Sequence, residues 1–239
     1  MNTTLKIVKM LVPSSKYSIK CPYTMKPEGV CIHNTYNDAS AKAEISYMIN
    51  NNNQTSFHYA VDNTQAVQGI EHTRNAWHAG DGRLGNGNRK YIAIEICYSK
   101  SGGSRFTEAQ NNGALLAAKI LKQYGWGVDR LKKHQDFSGK YCPHRTLQDY
   151  GWSNFKKLVQ KYLDELNKPV FKEYKVKVLV SALNIRKTPN WKDSDVVGVI
   201  KDKGIYTIVG EKKLDGTTFG KLKSGAGYIS LGSDYVKKV

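Results

Sequence analysis

Residues 134–145 read HQDFSGKYCPHR and bring two histidines, a lysine, a cysteine, an aspartate and an arginine into twelve positions. His134 and Cys142 stand eight apart across a loop that contains Gly139. An imidazole and a thiolate so spaced can meet one zinc ion if a third ligand arrives from elsewhere. The same cysteine could act as a nucleophile beside a histidine, or form half of a disulfide. His33 closes the apolar run GVCIH (29–33) and is followed by polar NTYNDAS; strand ends of this kind are where open α/β sheets place ligands. Glu95 interrupts the most hydrophobic run, YIAIEIC (91–97), where a carboxylate is costly unless paired or used. Strand alternation would turn it to solvent; burial would raise its pKa and suit it to general-base work. His58, His72 and His78 are further imidazoles that spacing does not exclude. By themselves the residues lead to a zinc or a cysteine hydrolase centred on His33, Glu95 and 134–142, with the choice open.

Helices and strands must hold these groups, and their signals are present. Ser40 is placed to cap AKAEISYMIN, and Thr107 with Gln110 forms a capping-box pattern before NNGALLAAKILKQYG. Ser153 precedes NFKKLVQKYLDEL, in which Phe155, Leu158, Val159, Tyr162 and Leu166 share one face. SFHYAVD (56–62) and QAVQGI (65–70) flank Asn63-Thr64 and predict a hairpin, while YIAIEIC predicts the central strand. Strands mixed with helices to about residue 168 predict an α/β domain, a mixed central β-sheet flanked by helices. LNKPVFKEYK (166–175) then reads as a linker, and the short β-rich runs after it predict a small all-β antiparallel barrel. The expected boundaries are a catalytic domain over 1–167, a linker over 168–173 and the barrel over 174–239.

The 239-residue chain carries 37 Lys and Arg against 20 Asp and Glu, a net charge of +17. The excess is shared, 23 against 13 in residues 1–171 and 14 against 7 in 172–239, so no basic tail is set apart. Such a balance suits nucleic acid, an anionic wall or anionic lipid. No basic, aromatic nucleic-acid motif accompanies it, and no apolar run approaches the roughly 20 residues of a membrane span. The N-terminal MNTTLKIVKMLVP lacks the apolar core and cleavage site of a signal peptide, so synthesis in a cytoplasm is expected. Cys21, Cys31, Cys97 and Cys142 form no dense framework and are expected to be unbridged. Cys31 and Cys97, in apolar runs, read as small core residues.

In order along the chain, VCIHNT, SFHYAVD, NAWHAGDG, YIAIEICY and HQDFSGKYCPHR resemble the zinc N-acetylmuramoyl-L-alanine amidases. More narrowly, they resemble phage endolysins and autolysins of Gram-positive hosts, over roughly residues 5–165. The resemblance implies the fold shared with peptidoglycan-recognition proteins. It implies Zn2+ held by His33, His134 and Cys142, the last as a thiolate. Glu95 would take the proton of the attacking water, Lys140 would stabilise the oxyanion, and His78 of the WHAG stretch would line the substrate groove. The bond cut would be the amide between the lactyl group of N-acetylmuramic acid and L-alanine. One departure is Phe57, which stands where some relatives carry a catalytic tyrosine. Glu95 is therefore expected to act as base alone, with Tyr59 the nearby alternative.

The tail stretches SALNIRKTP and GKLKSGAGYISLGSDYV resemble bacterial SH3-like wall-binding domains, with Tyr228 where tryptophan is commoner. Tyr174, Trp191, Tyr206, Phe219, Tyr228 and Tyr235 are its candidate aromatic contacts or barrel core. The partners so implied are peptidoglycan and anionic wall polymers of a Gram-positive host. Nucleic acid binding and membrane insertion are not expected, and the catalytic domain is expected to be monomeric. Such an endolysin would collect in the host cytoplasm and act at the wall after release.

Overall fold

β-Branched and apolar runs form strands, and runs of helical periodicity form helices, in the order the sequence predicts, with additions at the edges. A computed structural model describes residues 2–239, and the chain divides between Lys168 and Pro169 into two compact units. The first unit contains β1 (Lys6–Lys9), α1 (Tyr17–Lys20), β2 (Gly29–Asn34), α2 (Ala41–Asn50), β3 (Tyr59–Val61) and β4 (Gln65–Gln68). It continues with α3 (Asn86–Lys90), β5 (Tyr91–Ile96), α4 (Gly103–Tyr124), β6 (Leu131–Lys133), α5 (Gln135–Ser138) and α6 (Trp152–Asn167).

Its six-stranded sheet has the order β1-β4-β3-β5-β2-β6 and is mixed: β3 and β4 pair antiparallel, and the other neighbours pair parallel. β5 is central, as its apolar composition predicts, and the hairpin at Asn63-Thr64 joins β3 to β4. Buried β2, β5 and β6 residues such as Val30, Ile32, Ile92, Ile94 and Leu131 join Leu116, Leu121, Phe155 and Val159 of α4 and α6 in one core. Cys97 is fully buried in this core, as expected of a small core residue; Cys31 is fully buried but lies outside the core cluster, against His33.

Three local expectations change. α4 begins a turn before the capping box, after Gly102 at φ 72°; Thr107 lies inside it and its hydroxyl donates to the Gly103 carbonyl at 3.1 Å. Phe106 explains the early start, because that turn is needed to bury its ring. α6 begins before Ser153, the residue expected to precede it; Gly151, at φ 83°, precedes the helix and Trp152 opens it, stacked on Phe155. The run SFHYAVD gives only three strand residues, since Ser56 is drawn instead to the Trp77 carbonyl at 3.0 Å. Ser40 does cap α2, accepting from the Ala43 N–H at 3.3 Å.

The second unit is all-β: β7 (Tyr174–Val178), β8 (Leu183–Arg186), β9 (Val196–Ile200), β10 (Ile205–Leu214), β11 (Thr217–Leu222), β12 (Tyr228–Ser230) and β13 (Val236–Lys238). Every pairing is antiparallel, in the order β13-β7-β10-β11-β12-β8-β9. Val176, Val178, Ile208, Leu222 and Ile229 fill its core. Residues 168–173, between α6 and β7, form no helix or strand. Among the described residues no helix is long and apolar enough to cross a membrane.

Candidate active site

Three adjacent parallel strands deliver the first groups. Register pairs His33 on β2 with Glu95 on β5, and Ile32 with Lys133 at the end of β6, so His134 follows directly beside His33. All three lie at carboxyl ends of parallel strands, where side chains of one face are held in a row by the ladder. Cys142 reaches the row by a short return. Gly139 takes φ 76° after α5, and the Cys142 N–H bonds the Lys140 carbonyl at 2.7 Å. The Gln135 N–H then donates to the Cys142 carbonyl at 3.1 Å and closes the return.

The donor atoms converge. His33 Nδ1 lies 3.0 Å from His134 Nδ1 and 3.9 Å from Cys142 Sγ, and all three residues are buried. A tetrahedral zinc with bonds of about 2.0–2.3 Å sets its donors roughly 3.3–3.7 Å apart, and the two separations bracket that span. Two imidazoles and a thiol, with one side open to a cavity, are a donor set that suits zinc. Burial and the neighbouring imidazoles hold His33 well below the usual histidine range, and burial with Lys140 lowers His134, so both rings are neutral and can offer lone pairs.

His78 completes the arrangement from behind. Its Nδ1 lies 3.0 Å from His33 Nε2, and its Nε2 lies 3.2 Å from the Tyr91 carbonyl. A carbonyl only accepts, so His78 Nε2 carries its proton and Nδ1 accepts from His33 Nε2–H. That leaves His33 Nδ1 bare toward His134 and Cys142. His78 also lines the larger cavity, but neither of its nitrogens is free for a substrate. Cys31 Sγ, 3.1 Å from His33 Nε2, belongs to this rear string.

Burial, then Glu44, raise the Glu95 carboxyl to about 8; its Oε1 is 3.9 Å from His33 Nδ1 and its Oε2 has no hydrogen-bond partner. Such a group is poised to exchange a proton near neutrality. The solvent-facing reading of Glu95 is corrected: β5 lies between β3 and β2, and the carboxylate turns into the site. Burial, then Glu95, push the Cys142 thiol up to about 12, the opposite of an activated nucleophile. A bound cation would draw off that proton.

The other candidates are spent elsewhere. His58 accepts from the Ala93 N–H and donates to the Arg74 carbonyl, each at 3.0 Å. His72 lies between the Tyr59 and Tyr124 hydroxyls at 2.8 and 3.0 Å. Tyr59 therefore gives its hydroxyl to His72, while Phe57 lines the cavity beside Glu95.

Two cavities share Thr55 and Lys140 in their linings. The larger, about 740 Å3, is walled by Tyr23, Trp77, His78, Arg83 and His134. The smaller, about 300 Å3, is walled by Tyr36, Glu44, Tyr47, Phe57 and Glu95. Tyr36 is exposed at this rim with φ 62°, a conformation that costs a non-glycine residue about 1–3 kcal/mol. The segment 51–55 shapes both cavities and is pinned by fully buried Lys20, whose Nζ reaches Asn51 Oδ1 at 2.9 Å, the Thr55 carbonyl at 3.3 Å and the Asn53 carbonyl. Tyr36, Tyr47 and Lys20 are site residues that the sequence reading missed; the uncharged run NNNNQT (50–55) was the available signal for a ligand-facing loop.

A profile of the family described as N-acetylmuramoyl-L-alanine amidase matches residues 23–145. N-acetylmuramoyl-L-alanine amidase CwlA of Bacillus subtilis (strain 168) is 56% identical over 162 residues, 68% of this chain and 60% of its own length. XlyB of the same organism, also named an N-acetylmuramoyl-L-alanine amidase, is 52% identical over 161 residues, 67% of this chain and 51% of its own. The match thus spans between about half and three fifths of these curated relatives. Among solved structures, PlyL is similar with a TM-score of 0.64 and 52% identity, covering 65% of this chain and 98% of PlyL. The PlyG catalytic domain is similar with a TM-score of 0.64 and 49% identity, covering 69% and 99%.

Proposed function

We propose that this chain, which belongs to the N-acetylmuramoyl-L-alanine amidase family, is a zinc-dependent endolysin that hydrolyses the amide between N-acetylmuramic acid and L-alanine in peptidoglycan. The observation that carries the reading is the meeting of His33, His134 and Cys142 beside Glu95, with His134 lining one cavity and Glu95 the other. His33 and His134 through Nδ1 and Cys142 through Sγ would hold the ion. When bound, zinc supplies Lewis-acid polarisation of the scissile carbonyl and lowers the pKa of a water.

The chain's own groups account for the rest. Glu95 accepts a proton at its unpaired carboxylate and returns it to the departing amine of L-alanine. Lys140, common to both lobes, brings a point charge to the developing oxyanion. His78 orients the His33 ring through its Nδ1 acceptor. A substrate with a sugar arm and a peptide arm fits a cleft with two lobes. The all-β unit is assigned as an SH3-like wall-binding domain over 174–239, joined by 168–173 to a monomeric amidase domain over 1–167. Its excess of basic residues favours anionic polymers of a Gram-positive wall.

The test is zinc content and the appearance of free L-alanine α-amino groups on purified Gram-positive walls, for the parent and Cys142→Ser. About one zinc per chain with release, both lost in the variant, supports the assignment. Full zinc with lost release would move Cys142 out of the ligand set. No zinc and no release in a folded parent would favour a wall-recognition protein without catalysis.

A further inference from the structure

The all-β unit contains a cavity of about 230 Å3 whose wall includes Asn184, Arg186, Trp191, Ser230 and Tyr235. Arg186 closes β8 and is only 6% exposed. Its Nη1 donates to the Lys192 carbonyl at 2.9 Å, and its guanidinium lies 5.2 Å from the Trp191 ring centroid. Among the described residues no acidic side chain pairs with it, although the unit has seven to choose from. A buried cation is ordinarily paired. Here the remaining guanidinium N–H groups have no protein acceptor, and the adjoining space is the cavity. Trp191 and Tyr235 flank it, 46% and 38% exposed. Flat aromatic faces beside a planar two-pronged donor match a ring that carries an anionic group: the fork takes two oxygens of a phosphate or carboxylate, and the aromatic faces take the ring.

We infer that this cavity binds an anionic saccharide, one sugar unit bearing phosphate or carboxylate. The net charge of residues 172–239, 14 basic against 7 acidic, favours a polymer of such units over an isolated one. Only the source of the sugar rests on the wall-directed role proposed above; the pocket and its ligand chemistry do not.

The full 239-residue chain is titrated at physiological salt with glucose 1-phosphate, glucuronate and neutral glucose, following the Trp191 indole N–H by NMR. At least one anionic probe is expected to shift the Trp191 signal at concentrations where glucose does not. Arg186→Gln is expected to weaken that binding at least about tenfold, the loss of a charge-assisted hydrogen bond pair. Lys213→Gln, an equal charge loss at an exposed site of the same unit, is expected to change it less than about twofold. An equal response to glucose, or equal losses from Arg186→Gln and Lys213→Gln, overturns the proposal. Tyr235→Ala, at the cavity rim, covers the case in which Arg186→Gln fails to fold; undiminished binding in that variant also overturns it. Pelleting with walls assigns the source. Arg186-dependent retention lost on hydrofluoric acid stripping points to sugar phosphates, and retention lost only on carboxyl amidation points to uronates. Retention insensitive to Arg186 on every wall overturns a wall-borne ligand. None of these readouts involves amide cleavage, so failure here leaves the amidase assignment standing, and failure there leaves this one.

Discussion

Glu95 and His33 face each other across two strands, yet their environments ask different things of them. Glu95 has an unpaired carboxylate oxygen and a pKa raised to about 8, so its substitution is predicted to remove chemistry and spare the donors. Glu95→Gln is expected to keep its zinc and lose roughly 10²–10⁴-fold in hydrolysis; metal analysis beside a kinetic assay separates that outcome from collapse of the site. His78 is predicted to act on the ion through His33. His78→Phe is expected to weaken zinc binding about 10–100-fold in a chelator competition, and His78→Asn, which keeps an acceptor, to recover part of it. Equal affinity in parent and His78→Phe would return His78 to groove lining. Glu95 was legible because a charge inside an apolar strand needs a reason. The orienting contact of His78 was not, because it depends on the Tyr91 carbonyl, thirteen residues away in sequence and reached only once α3 has turned the chain.

Strands and helices set the stability of the site as well as its shape. His58, between the Ala93 N–H and the Arg74 carbonyl, is held neutral, its pKa depressed by burial to about 3 against an ordinary 6.5. Between those values the unfolded chain binds the extra proton and the folded chain does not, so stability is full above pH 6.5 and falls as pH drops toward 3. His58→Gln is expected to melt lower at neutral pH but to show a shallower acid limb in Tm against pH; parallel limbs would mean that His58 protonates inside the fold. Lys20 anchors the 51–55 segment from α1. Lys20→Met removes three part-buried hydrogen bonds made by a charged donor and is expected to cost about 1–3 kcal/mol. Because that segment walls the cavities and does not touch the donors, KM for a muropeptide should rise more than kcat falls. The helices were readable from their periodic faces, and their starts were less so. Phe106 draws α4 a turn earlier than the Thr107 pattern, a tertiary demand overriding a local one. The edge strands β1, β6 and β13 went unread because three or four residues at a sheet edge need no strong apolar pattern.

For the whole chain, the composition changes after residue 166 and the fold divides between Lys168 and Pro169. Each unit has its own core, so residues 1–168 expressed alone are predicted to fold, hold zinc and cleave soluble muropeptide at near parental rate. Pelleting with intact walls should fall by about 10²-fold or more as the second contact is lost; undiminished pelleting would place wall affinity in the first unit. The two-lobed cleft bears on turnover. Its two cavities share Thr55 and Lys140 in their walls. In the proposed reaction, a sugar fragment held in one cavity and a peptide fragment held in the other would not have to leave in a fixed sequence. Release should then be random in order, with each product inhibiting on its own and the two able to occupy the protein together.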